Sequence, residues 1–219
     1  MSAMADKIMK RVRAKGRGWV FTPKHFIDFG TRGSVDMALS RLAQAGEIRR
    51  IGRGLYDYPQ LHDKLGALTP DAEMIAQAVS AQSGDRLAPS AAVAANRLGL
   101  STQVPARTSY ATTGRTRVRQ AAGRSVTLKH SRAPVLGNAS EAANGVVQYL
   151  AGLGRANVDA DAISQIAARL DDRDIQALIK GRPAMPGWMG DAVLRIGIVQ
   201  QSQTSVKIRG GGKALEGLS

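Results

Sequence analysis

Residues 31–58 read TRGSVDMALS RLAQAGEIRR IGRGLYDY, and their two halves follow different periods. In the first half Val35, Ala38, Leu39, Leu42 and Ala45 recur at helical spacing and fall on one face of a helix. The opposite face carries Arg32, Ser34, Met37, Ser40, Arg41 and Gln44, with Thr31 at the start and Gly46 as the stop. In the second half residues 47–51 and 55–58 read as two short strands joined by Gly52-Arg53-Gly54. A helix followed at once by a basic hairpin is the second half of a winged helix-turn-helix. Such a helix enters a major groove, and the hairpin lies beside the phosphates.

The residues upstream agree with this reading. Residues 3–14 form an amphipathic helix with Ile8, Met9 and Val12 as its apolar edge. Trp19-Val20-Phe21 is β-prone and suits a short strand paired with the hairpin. Thr22-Pro23 opens a short helix that offers Phe26, Ile27 and Phe29 to a core before Gly30 ends it. Helix, strand, helix, helix and hairpin all fit between Ala3 and Tyr58, and every local signal points to one topology.

The chain has 219 residues, 31 Lys/Arg against 17 Asp/Glu, and a sequence pI near 10.9. That balance favours a polyanionic partner, most simply nucleic acid. Positions 1–60 hold 12 Lys/Arg and 5 acids, a net +7; positions 61–219 hold 19 and 12, also +7, at less than half the density. There are no cysteines, which excludes disulfides, zinc–thiolate sites and cysteine nucleophiles. No apolar run reaches the roughly 20 residues of a membrane span, and MSAMADKIMK has no signal-peptide core. The expectation is a cytoplasmic protein without membrane association.

Beyond position 60 the signals are mixed. Residues 61–68 read as a connector, Thr69-Pro70-Asp71 opens a helix with Ala72, Ile75, Ala76 and Val79 inward, and residues 90–98 form a small-residue helix. Pro105 ends helical structure. Runs rich in Thr, Val and Tyr at 108–112, 116–119 and 125–129 suggest a small antiparallel sheet. Between Asp85 and Glu141 there are nine cations and no acid. Helical patterns return from Ser140 to Val199, with Trp188 as an anchor, and residues 200–219 read as a flexible polar tail. The expected architecture is α+β. A winged helix-turn-helix spans residues 1–60, a mixed domain of helices around a small antiparallel sheet spans 61–199, and the tail spans 200–219.

The candidate DNA-binding residues are Thr31, Arg32, Ser34, Met37, Ser40 and Arg41 on the helix and Arg49, Arg50 and Arg53 on the hairpin. Arg32 and Ser34 lie nearest the helix N-terminus, the end that reaches base edges. An arginine there can pair bidentately with guanine, worth about 1–3 kcal/mol of discrimination. Ser40 and Arg41 suit phosphate, and Arg53 suits phosphate or the minor groove. Arg107, Arg115, Arg117, Arg119, Arg124 and Lys129 form a possible second basic surface, toward nucleic acid or an acidic protein. No catalytic, cofactor or metal site is expected. His25, His62 and His130 lack ligand spacing, and Asp171, Asp172 and Asp174 sit at a helix start, where acids favour the dipole. Residues 210–213 lack the first Gly and the Ser/Thr of a phosphate loop, and no enzymatic activity is expected.

VFTPKHF, SVDMALSRLAQAGEI and RRIGRGLYDY together resemble the N-terminal winged helix of AbiEi-type antitoxins of type IV toxin–antitoxin and abortive-infection systems. LAPSAAVAANRLGLSTQVPARTSYATTGRTRVRQAAGRSVTLKHSR, residues 87–132, resembles the start of that family's C-terminal domain. The resemblance implies a repressor that binds inverted repeats of double-stranded DNA in its own promoter. It also implies an antitoxin that counters a nucleotidyltransferase-like toxin without a stable complex. Two other readings remain open. One is an ordinary winged-helix regulator with a ligand-sensing or dimerising C-terminal domain. The other is a protein-interaction module, or an enzyme acting on the toxin. Oligomeric state is open in every one of these readings.

Overall fold

A computed structural model describes residues 3–103 and 109–211, with side chains up to residue 203. The architecture is α+β, and the chain divides into two compact units. The first comprises Met1–Leu87 and Gly114–His130, the second Ala88–Thr113 and Ser131–Ser219.

The first unit begins with α1 (Ala3–Lys15), which buries Ala5, Ile8, Met9 and Val12. β1 (Val20–Phe21) follows, then a 3-10 helix (Pro23–Phe29), α2 (Arg32–Gln44), β2 (Arg49–Gly52) and β3 (Leu55–Asp57). This is the layout of a winged helix. β1 pairs antiparallel with β3 in register Phe21↔Tyr56, and β3 with β2, so the strand order is β1-β3-β2. Ile8, Val12, Phe21, Phe26, Val35, Leu39 and Ile48 share one core. Each such side chain removed from water contributes about 1.5–3 kcal/mol.

Local geometry departs from the sequence expectation in places. The segment after Thr22 is a 3-10 helix, in which residues three apart eclipse. Phe26 and Phe29 therefore share the core side, whereas Ile27 is exposed. Ala45 caps α2 and is exposed rather than inward. The hairpin turn is Arg53-Gly54 alone, closed by the pair Gly52↔Leu55. A register shift between Arg50 and Gly52 breaks strict alternation. Ile48 and Ile51 are thus both buried while Arg50 stays exposed.

The first unit does not end at position 60. Residues 61–68, expected as a connector, hold a small hairpin of β4 (Leu61–His62) and β5 (Gly66–Ala67). α3 (Ala72–Ser83) follows, with Asp71 rather than Thr69 at the N-cap and Gly84 closing it in the left-handed region. From further along the chain, β8 (Arg117–Ala121) and β9 (Arg124–His130) return to this unit as an antiparallel hairpin. Its turn is Ala122-Gly123, with φ of 50° and 74°. Positive φ at both central positions of so short a loop matches a type I′ turn, which suits the twist of paired strands.

The second unit contains β6 (Leu87–Pro89) from Ala88 onward, α4 (Ala91–Arg97) and β7 (Ser109–Thr112). It continues with α5 (Glu141–Leu153), α6 (Ala160–Ala167), α7 (Asp172–Gly181) and α8 (Gly187–Gly211). Val146, Val147, Leu150, Ile163, Ile166, Ile175, Leu178, Val193 and Ile196 build its core. Trp188 packs against it, half-buried. α4 approaches α5 closely: a Cβ on Gly152 would lie 2.5 Å from the Ala91 methyl. Asn144 on α5 accepts from the Leu136 N–H at 2.7 Å and donates to the Leu136 carbonyl at 3.0 Å, pinning the preceding loop. The expected tail is corrected in part: α8 runs on to Gly211, and Gln200 is buried and donates to Asp172. Residues 212–219 lie outside the described residues, as do Pro105 and Arg107. Among the described residues no helix is long and apolar enough to cross a membrane.

Candidate nucleic-acid interface

The outer face of α2 is set by what its inner face buries. Val35, Ala38, Leu39 and Leu42 point into the core. Helical geometry then puts Gly33, Met37, Ser40 and Gln44 along the middle of the exposed face. Arg32 and Asp36 flank one edge, Ser34 and Arg41 the other. Thr31 is the N-cap: its Oγ1 accepts from the Ser34 N–H at 3.3 Å and bonds the Ser34 hydroxyl at 2.7 Å. Arg32 Nε donates to both carboxylate oxygens of Asp36, at 3.0 and 2.9 Å. Both side chains are about half exposed, and an i,i+4 surface pair contributes only about 0.3–0.5 kcal/mol. Arg32 can leave it for a base or phosphate at little cost. Met37 is 57% exposed, an apolar side chain in an otherwise polar strip.

On the hairpin the three arginines separate. Arg50 and Arg53 are exposed and make no ion pair among the described residues. Gly54 takes φ +66° beside Arg53, which turns the tip tightly. Arg49 is instead engaged by a buried carboxylate. Its Nε and Nη2 donate to Asp57 at 3.0 and 2.6 Å, and Nη2 also to the Leu68 carbonyl at 2.7 Å. Asp57 is 1% exposed, so its charge needs this partner, and the bond to Asp57 in turn raises the Arg49 pKa. Arg49 and Asp57 face each other across the hairpin. That register follows from two features together, the Arg53-Gly54 turn and the bulge between Arg50 and Gly52; without the bulge Arg50 would face Asp57.

The possible second surface divides similarly. Arg117 sits against α3: Nη1 pairs with Asp85 at 2.8 Å and Nη2 donates to the Ser83 hydroxyl at 2.7 Å. The Ser83 hydroxyl first, and Arg117 second, hold the Asp85 carboxyl below the usual carboxylate range. Arg115, Arg119, Arg124 and Lys129 are exposed, and all lie in the first unit. Arg107 falls outside the described residues.

Moving residues 114–130 into the first unit changes the charge picture. That unit carries 19 Lys/Arg and 9 acids, a net +10, and the second carries 12 and 8, a net +4.

Several other titratable groups serve as caps and ion pairs. His25 is half-buried; its Nδ1 accepts from the Thr22 N–H at 3.1 Å, completing a capping contact. Burial lowers its pKa, with smaller contributions from Lys15, Arg11 and Lys24. Arg11 pairs with Asp28 at 2.6 Å and lies 4.0 Å from the centroid of the Phe29 ring. Asp171 caps α7 at the Asp174 N–H, and Asp174 accepts from Ser140. Among the described residues no group of three or more His, Asp or Glu could hold a metal ion. A family of unknown function (DUF6088) matches residues 7–178. No curated protein and no solved structure matches the chain.

Proposed function

The chain belongs to the DUF6088 family, and for this member we propose sequence-specific binding of double-stranded DNA by the first unit. α2 enters the major groove, Arg32, Met37, Ser40 and Gln44 face the bases, and Arg41, Arg50 and Arg53 take phosphates. The observation that carries this reading is the pairing of a polar, open α2 face with a hairpin tip whose Arg53 has no ion-pair partner among the described residues, in a unit of net +10. The wider role we propose is cytoplasmic: repression of its own operon at inverted repeats, as the antitoxin opposing a nucleotidyltransferase-like toxin without a stable complex. Its support is the likeness of residues 20–58 and 87–132 to AbiEi-type antitoxins.

A salt titration of full-length protein on the DNA upstream of its own gene tests the first part. The expected result is a sequence-specific complex whose log K falls linearly with log salt. No preference over random duplex, or affinity indifferent to salt, refutes it. Co-expression with an adjacent nucleotidyltransferase-like reading frame tests the second: growth should be rescued, and unrelieved toxicity refutes the antitoxin role.

A further inference from the structure

The β2–β3 hairpin closes at Asp57 and the β8–β9 hairpin opens only at Arg117, yet the two touch within one compact unit. β2 is the outer strand of the β1-β3-β2 sheet, and its Ile51 carbonyl accepts from the Ala122 N–H at 2.9 Å. One residue on, a Cβ on Gly52 would lie 2.9 Å from the Gln120 carbonyl oxygen, so the approach depends on glycine there. Arg53 adjoins Gly52 and Arg119 adjoins Gln120. Chain geometry therefore bounds their Cα separation at about 15 Å.

Strand register defines the charge on the second hairpin. Arg119 faces Val126 and Arg124 faces Ala121, so Arg119 and Arg124 share a face and are diagonal neighbours. Diagonal positions sit about 7–8 Å apart along the backbone, so two exposed guanidinium side chains lie next to each other on this hairpin. Residues 114–130 contain five Lys/Arg and no acid, and Asp85 pairs with Arg117 alone among them. Adjacent exposed cations with no acid in the same segment suit a polyanion.

We infer that the β8–β9 hairpin is a second wing, whose Arg119 and Arg124 hold phosphates of the same duplex that Arg50 and Arg53 hold. This rests on the DNA-binding reading above. A single wing would leave Arg119 and Arg124 without a function in binding; a double wing lengthens the backbone contact without adding sequence information.

The test is fluorescence anisotropy of full-length protein on its own upstream duplex and on random duplex, across a salt series. The Arg119→Ala/Arg124→Ala variant should weaken both duplexes alike, roughly tenfold, and reduce the salt slope by about 1.8, for two phosphates at about 0.9 each. Arg119→Lys/Arg124→Lys keeps the charges and should retain the wild-type slope. Arg155→Ala, an exposed cation of the second unit, should change nothing. If Arg50→Ala/Arg53→Ala lowers the slope but the alanine pair at 119 and 124 does not, the second wing is refuted and the DNA-binding reading stands. If wild-type protein binds neither duplex, the DNA-binding reading itself fails.

Discussion

Arg49→Ala should destabilise the wing rather than weaken a DNA contact. The guanidinium makes two hydrogen bonds to a carboxylate that is 1% exposed and a third to the Leu68 carbonyl. Removing one partner of a buried pair leaves an uncompensated charge, at a cost of about 3–5 kcal/mol. Arg49 is itself about a third exposed, so water reaches Asp57 once the side chain is gone, and the lower end, about 3 kcal/mol, applies. For a unit of this size that lowers the melting temperature by about 12 °C. Circular dichroism melts measure it directly. Arg49→Met with Asp57→Leu removes both charges and should recover most of the loss, because a buried pair is often replaceable by apolar side chains. Below the melting transition, Arg49→Ala should keep the wild-type salt slope on DNA, whereas Arg53→Ala should lose about 0.9 of it. A melting temperature within a few degrees of wild type together with a reduced slope would show that Arg49 serves DNA after all.

Three further outcomes are expected. His25 is held neutral by burial, so its folded pKa lies below the unfolded value near 6.5. Stability is then full above about 6.5 and falls as pH drops toward the folded pKa; melts on either side of that value should show this, and His25→Gln should flatten it while keeping a side chain able to reach the Thr22 N–H. Ala122 holds φ 50° where a side chain is disfavoured, so Ala122→Asn should stabilise by about 0.5–1 kcal/mol in a urea titration, and Ala122→Val should destabilise. Asp36→Ala frees Arg32 and removes an acid from the α2 face, so it should tighten specific and random DNA alike, while Arg32→Ala should relax preference at one base pair, seen by binding to single-substitution duplexes.

Much of the first unit was legible in the chain itself. The apolar period of residues 35–42, the glycines at 30, 46 and 54, and the β-prone Trp19-Val20-Phe21 are local signals. Local signals suffice where helix and turn propensity agree with burial. Finer geometry escaped where two local states compete: the 3-10 turn that exposes Ile27, the bulge that buries Ile51, and the N-cap at Asp71. The α2 face could be listed from periodicity alone, because the inner stripe fixes the outer one. Gln44 and Gly33 belong on it for the same reason.

Which arginines are free was not a local property. Arg49, Arg50 and Arg53 are alike in sequence, as are Arg117 and Arg119. The difference is a carboxylate placed by tertiary pairing: Asp57 across a hairpin, and Asp85 just past the end of α3. The unit boundary was equally non-local. The composition of residues 61–130 carries no mark that residues 114–130 rejoin the N-terminal unit while 88–113 leave it. The sequence alone determined the winged-helix layout and the basic character of residues 31–58, because periodicity and turn chemistry act between neighbours. Tertiary structure decided that a second basic hairpin lies beside the wing, because a hydrogen bond from Ala122 to Ile51 and a close approach over Gly52 exist only once distant segments have met.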